Sequence, residues 1–122
     1  MNLSLNQELK QEGNYVKNKT KMKILNSNGR VANKKVHFLA DTIMEASFSI
    51  VWSLNDEVKK EFLLSSLLYD NDNTITMLNN ISDEKINHYL ACDFAFRTWC
   101  SGFYGDYKVD SGSILDYFFE WI

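Results

Sequence analysis

Apolar residues recur at helical spacing over residues 34–54, and this stretch constrains the fold more than any other part of the chain. The main stripe comprises Val36, Leu39, Ala40, Ile43, Ser47, Ile50, Val51 and Leu54. Phe38, Phe48 and Trp52 form a second stripe on the same helix. The pattern therefore predicts a helix that ends near Asn55 and is buried on most sides, which requires several other helices to cover it.

Three further segments have helical features. A helix is predicted over residues 56–69, with acidic Asp56 and Glu57 favourably placed in its first turn. Ser82 predicts the start of another, which should reach Cys100 and stop at Gly102. Ser113 predicts the start of a last helix that runs to the end of the sequence. The segment "DNDN" at 70–73 is typical of a loop, and "TITML" after it fits either a strand or one helical turn.

The first part of the chain has a different period. Lysines alternate with other residues over 15–25, at positions Lys17, Lys19, Lys21 and Lys23, which is the spacing of one face of a strand. Asn28-Gly29 follows and favours a tight hairpin turn, with a return strand from Arg30. The predicted fold is mainly α, with about four helices packed around the helix that begins near residue 35 and a small N-terminal β-hairpin. An α+β fold is the alternative.

Length and charge divide this chain into an arm and a body. At 122 residues it is expected to form one domain. Residues 1–40 contain eight basic and two acidic side chains, a net charge of +6, whereas residues 41–122 contain five basic and fourteen acidic ones, a net charge of −9. The sequence thus predicts a basic arm at 1–33 attached to an acidic helical body at 34–122.

The sequence favours a cytoplasmic location. No stretch near the start has the apolar character of an export signal, and no apolar run approaches the roughly 20 residues that span a bilayer. Cys92 and Cys100 fall within one predicted helix, about 12 Å apart along its axis, which is too far for a disulfide. We therefore expect free thiols in a reducing compartment and no membrane partner.

The last third of the chain predicts a protein-binding surface. Residues 94–122 hold ten of the seventeen aromatic residues, more than we expect their own interior to bury. Tyrosine and tryptophan dominate binding hot spots, and carboxylates beside them would attract a basic partner. The predicted partner-binding residues are Asp93, Tyr104, Asp106, Tyr107, Asp110, Asp116, Tyr117, Glu120 and Trp121.

One helical ridge offers a candidate reactive site. Glu84, His88 and Cys92 recur every four residues and so lie in line along a helix. They could form an activated thiol or part of a zinc site, but the latter lacks ligands because His37 is the only other histidine. A buried structural thiol beside a surface Glu–His pair explains the same pattern. Calcium-binding and phosphate-binding loop motifs are absent, so no cofactor and no metal are expected.

The basic arm offers a different function. Its cations could bind the phosphates of a nucleic acid, and the candidate residues are Lys17, Lys19, Lys21, Lys23, Arg30, Lys34 and Lys35. This arm contains a single arginine and, apart from Tyr15, no interleaved ring, so base readout and base stacking lack the residues they need. An edge strand protected by lysines explains the same pattern.

These observations favour a non-enzymatic protein that binds another protein stoichiometrically. The acidic, aromatic surface fits an immunity protein, an antitoxin or a phage-encoded inhibitor, because the active site of a nuclease toxin is cationic. A nucleic-acid accessory role for the arm is the second hypothesis, and a small Cys/His enzyme or metal protein is the third. Exposed rings would also fit a symmetric homodimer.

Overall fold

The structure, a computed structural model, describes residues 22–102 and 107–121, and this part of the chain is mainly helical, as predicted. Its five helices are α1 (Lys34–Trp52), α2 (Asp56–Ser65), α3 (Asn71–Asn79), α4 (Glu84–Ser101) and α5 (Ser111–Glu120). The third helix was not predicted: "DNDN" is not a loop but the start of α3, and "TITML" is helical. None of the helices in the described part of the chain is both long enough and apolar enough to span a membrane.

An asparagine or aspartate begins every one of these helices. The N-caps are Asn33, Asn55, Asp70, Asp83 and Asp110, and each side chain accepts a hydrogen bond from a backbone N–H two or three residues later. The predicted starts at Ser82 and Ser113 are therefore wrong by one and three residues. Carboxylate and amide side chains supply the helix starts of a chain that contains no proline.

The centre of the fold is α4 rather than α1, which corrects the predicted arrangement. α1 packs most extensively against α4, and α4 also packs against α5 and α2. Small residues at the α1–α4 contact, Ala40 and Ser47 on one helix and Ala91 and Ala95 on the other, are all buried. The apolar residues on opposite sides of α4 are thus covered by different neighbours.

A tight turn precedes α1. Leu25 and Val31 form an antiparallel β-bridge, and Gly29 adopts a positive φ of 79° in the turn between them. The predicted strand over residues 15–25 lies mostly outside the described residues, so the hairpin remains a prediction.

His37 and the segment before α5 hold this turn in place. The Nδ1 atom of His37 donates to the Asn33 carbonyl (3.0 Å), while its Nε2 atom accepts from the Ile24 N–H (3.1 Å). On the other side, Val109 forms a β-bridge with Asn26. The Leu25 N–H donates to Ser113 Oγ at 2.7 Å, across 88 positions of sequence.

The segment that contains α2 and α3 attaches to α4 through ring contacts and hydrogen bonds. Phe62 packs edge-on against Phe94, with 4.6 Å between ring centroids, and Tyr69 packs similarly against Tyr89 at 5.4 Å. Arg97 on α4 donates to the Ser65 carbonyl at the end of α2. These contacts fix α2 and α3 along one side of the central helix.

Candidate protein-binding surface

Two of the rings predicted to be exposed lie in the core, which corrects the sequence analysis. Tyr117 is 1% exposed and Trp121 is 3% exposed. The polar atoms of both rings are satisfied by one carboxylate oxygen, because Tyr117 Oη and Trp121 Nε1 each donate to Asp41 Oδ1 at 2.7 Å. Burial and this hydrogen bond raise the pKa of Tyr117 well above its usual range.

Asp93 is also internal and cannot contact a partner. Its carboxylate is 2% exposed, pairs with Arg97 Nε at 2.9 Å and accepts from the Leu67 N–H at 3.2 Å. This buried pair joins the α2–α3 connection to α4. The acidic character of Asp93 therefore serves the fold, which the sequence could not reveal because Leu67 lies 26 residues away.

Among the described residues, the remaining C-terminal candidates are three exposed carboxylates and the half-buried Tyr107. Asp116 and Glu120 are exposed on α5, and Asp110 is exposed but accepts from the Ser113 N–H at 2.9 Å as the helix cap. Tyr107 is half-buried, with Lys35 Nζ 5.8 Å from its ring centroid. Tyr104 and Asp106 lie outside the described residues.

The Cys92–His88 pair has the chemistry of a structural contact. Cys92 is fully buried and its Sγ donates to the Phe118 carbonyl at 3.2 Å, while His88 Nε2 lies 2.9 Å from the Phe119 carbonyl and donates to it. Burial raises the pKa of Cys92 far above its usual range and lowers the pKa of His88. The pair thus consists of a protonated thiol and a neutral imidazole whose N–H already donates to the Phe119 carbonyl. Glu84, the third residue of the predicted ridge, is exposed on the first turn of α4.

Metal-ligand groups and the two cysteines were the other places to look for reactive chemistry. Within the described ranges, no three side chains of His, Cys, Asp or Glu come close enough together to bind a metal ion. Cys92 and Cys100 are both free thiols, one buried and the other exposed.

Exposed apolar area is concentrated where the sequence analysis did not place it. Two of the three residues in the second predicted stripe of α1 are not covered: Phe38 is 69% exposed and Trp52 is 53% exposed, whereas Phe48 is half-buried against the core. Ile50 of the main stripe is 52% exposed. Leu64, Leu67 and Ile75 are likewise exposed, at 69%, 66% and 57%. These last three belong to α2, to the connection and to α3, two helices that pack against each other.

Exposed carboxylates belong to the same elements as these exposed aliphatic residues. We define the α2–α3 face as Leu64, Leu67 and Ile75 together with the exposed acids Asp56, Glu57, Glu61, Asp70 and Asp72. Only two cations belong to the same elements: Lys60, whose Nζ lies 3.7 Å from Glu57 Oε1, and Lys59, which is buried. A sequence signal was present in the acidic residues of 56–72, but their association with exposed leucines depends on which side of α2 meets α4.

The cations of the predicted arm are exposed wherever the structure describes them. Lys23, Arg30, Lys34 and Lys35 lie around the turn and the first residues of α1, and Lys108 joins them from the segment before α5. Lys17, Lys19 and Lys21 lie outside the described residues.

Comparison of the chain with protein-family models, with curated proteins and with solved structures finds no significant match.

Proposed function

We propose that this protein is a non-enzymatic binding protein that attaches to a basic surface of another protein through its α2–α3 face. The observation that supports this proposal is the combination on these elements of three exposed aliphatic side chains with five exposed carboxylates. The kind of protein that we propose is an immunity protein, an antitoxin or a phage-encoded inhibitor of a nucleic-acid enzyme, and a cationic nuclease toxin is the kind of partner that the charge favours.

The chemistry of the face fits a protein surface better than a small ligand. Leu64, Leu67 and Ile75 each lose unfavourable contact with water when they are covered, at about 25 cal/mol for each Å² of apolar surface buried. The carboxylates on the same elements would accelerate encounter with a cationic partner and exclude an acidic one. Apolar contacts inside a charged rim are the usual anatomy of a protein interface.

The C-terminal surface is the weaker candidate for the same role. Asp116 and Glu120 supply negative charge on α5. However, Tyr117 and Trp121, the rings that were expected to contact a partner there, are part of the core. A symmetric dimer through the α2–α3 face is also disfavoured, since it would bring the five carboxylates of one copy against the same five of the other.

Charge reversal on two surfaces tests the proposal. Three forms of the tagged chain are used to capture partners from host lysate: the wild type, the α2 variant Glu57→Lys/Glu61→Lys, and the α5 variant Asp116→Lys/Glu120→Lys. The two variants change the net charge by the same amount. We expect the wild type and the α5 variant to retain one basic protein at near-equal stoichiometry and the α2 variant to lose it. Helical content by circular dichroism confirms that each variant is folded.

Other outcomes contradict the proposal in distinct ways. Loss of the partner only in the α5 variant would place the binding surface at the C-terminal end. If the wild type captures an acidic protein, or captures no protein, the result would contradict binding to a basic protein. As a second variant, Leu64→Ser should weaken the captured complex at least tenfold, because this exposed side chain contributes to binding and not to the core.

A further inference from the structure

Five exposed cations lie on three adjoining segments: the turn, the start of α1 and the segment before α5. We define the basic face as Lys23 and Arg30 around the turn, Lys34 and Lys35 on α1, and Lys108 before α5. The β-bridge between Asn26 and Val109 and a hydrogen bond from the Ser27 N–H to the Lys108 carbonyl (2.8 Å) hold these segments together. Lys108 was not among the cations that the sequence analysis assigned to the arm.

Cations outnumber acidic side chains in the described segments that carry the basic face. Residues 22–41 and 107–113 contain the carboxylates Asp41 and Asp110 against the five cations, a net charge of +3 in a chain whose total is −3. Both carboxylates have structural roles: Asp41 binds Tyr117 and Trp121, and Asp110 caps α5. The field around these segments is therefore positive and favours a polyanion.

An exposed aromatic ring lies within the basic face. Phe38 follows Lys34 by four residues and Lys35 by three, so its ring is next to both lysines on the surface of α1. The side chain is 69% exposed, one of the two highest values among the large apolar residues described. Half-buried Tyr107 lies beside Lys35 and holds that cation near the ring surface.

We propose that the basic face and Phe38 together bind single-stranded nucleic acid, with the phosphates on the cations and an unpaired base stacked on the Phe38 ring. Stacking on aromatic rings inside a positively charged groove or face is how proteins bind single strands without sequence preference. A duplex has its bases already stacked and would leave Phe38 uncovered. The arm alone lacked a ring for stacking, and the structure supplies one from α1.

Fluorescence anisotropy with the full chain tests this proposal. The probe is a labelled single-stranded oligothymidylate of about 12 nucleotides, within the usual range of site sizes, titrated at about 50 mM and about 200 mM salt. We expect binding that weakens with salt. Phe38→Ala should weaken binding about tenfold or more, since base–aromatic stacking contributes about 1–3 kcal/mol. Lys34→Glu/Lys35→Glu should weaken it further and reduce its salt dependence.

Matched controls separate this surface from the α2–α3 face. Trp52→Ala removes another exposed ring of α1 and should leave oligonucleotide binding unchanged. Glu57→Lys/Glu61→Lys and Asp116→Lys/Glu120→Lys add the same positive charge at two other places. These two variants should therefore bind the oligonucleotide equally well. Three results would overturn the proposal: no binding at low salt, equal binding by Phe38→Ala, or displacement of the oligonucleotide by polyglutamate of similar length and charge. The last result would assign the face to acidic proteins.

Discussion

At the scale of single residues, Asp41 is the polar group on which the C-terminal packing depends. One oxygen of its carboxylate accepts from Tyr117 and Trp121, two side chains that the core would otherwise bury with unsatisfied donors. Each buried donor without a partner costs about 1–3 kcal/mol. The role of Asp41 thus follows from the burial of residues 76 and 80 positions away.

We expect Asp41→Ala to lower the free energy of unfolding by about 2–5 kcal/mol, because it removes the acceptor for both donors. Asp41→Asn keeps an oxygen at that position and should cost only about 1 kcal/mol. Chemical denaturation measures both values, and Asp116→Asn, an exposed acid on α5, is the control and should stay within about 0.5 kcal/mol of wild type. Equal losses for the alanine and asparagine variants would contradict this account.

His88 makes the stability of the fold depend on pH. Burial lowers its pKa, so in the acid range below about 6.5 the unfolded chain takes up a proton that the folded chain resists. Stability is therefore fully present above that pH and falls as the pH decreases, by up to about 1.4 kcal/mol per pH unit.

The variant His88→Gln tests this, because glutamine can still donate to the Phe119 carbonyl but does not titrate. We expect the Tm of wild type to fall more than that of the variant between about pH 7.5 and about pH 5, since the carboxylates affect both proteins alike. Thermal unfolding followed by circular dichroism gives the two slopes. Parallel slopes would show that His88 does not contribute.

At the scale of helices, periodicity predicted the larger elements and the caps were less readable. α1 was expected close to its observed bounds because apolar spacing extends over most of its length. α4 was expected close to its bounds because Ser82 and Gly102 gave start and stop signals near its ends. Asp70 shows where the prediction failed: four polar residues in a row are typical of a loop, yet the first of them accepts from the Asn73 N–H and starts a helix. Composition alone does not distinguish these outcomes, because Asp and Asn favour both loops and N-caps.

The same limit explains which surface residues could be predicted. The last third of the chain is rich in rings, as the sequence shows. However, α5 packs against α4, and this contact lets the core bury Tyr117 and Trp121. Phe38 and Leu64 are exposed because of which side of α1 and α2 meets α4. Which side of a helix is buried depends on its packing against helices far away in the sequence, so the local pattern of residues does not reveal it.

At the scale of the whole molecule, the described helices differ in how firmly they are held. α1, α4 and α5 share most of the buried core, whereas α2 and α3 contribute only Leu63 and Met77 as buried apolar side chains. Segments with few buried apolar contacts open at lower free energy than the core of the same protein. The surface proposed to bind a partner therefore belongs to the less stable part of the fold.

Native-state hydrogen exchange should show amides of α2 and α3 opening at lower free energy than those of α1 and α4. Arg97→Met should increase the difference, because it leaves the buried Asp93 carboxylate without its half-exposed cationic partner. Adding Asp93→Asn removes the buried charge, keeps an acceptor for the Leu67 N–H, and should restore much of the lost protection. Uniform exchange across all the helices of the variant would contradict this division.

The hydrogen bond from Leu25 to Ser113 has a consequence for the order in which the protein matures. A chain emerges from the ribosome with its earlier residues first, but the turn at residues 25–31 cannot acquire this contact until residue 113 has also been released. Until then, Lys23 and Arg30 beside the turn would face the polyanionic RNA of the ribosome without this contact. Closure of the turn by α5 must therefore wait until residue 113 has left the ribosome.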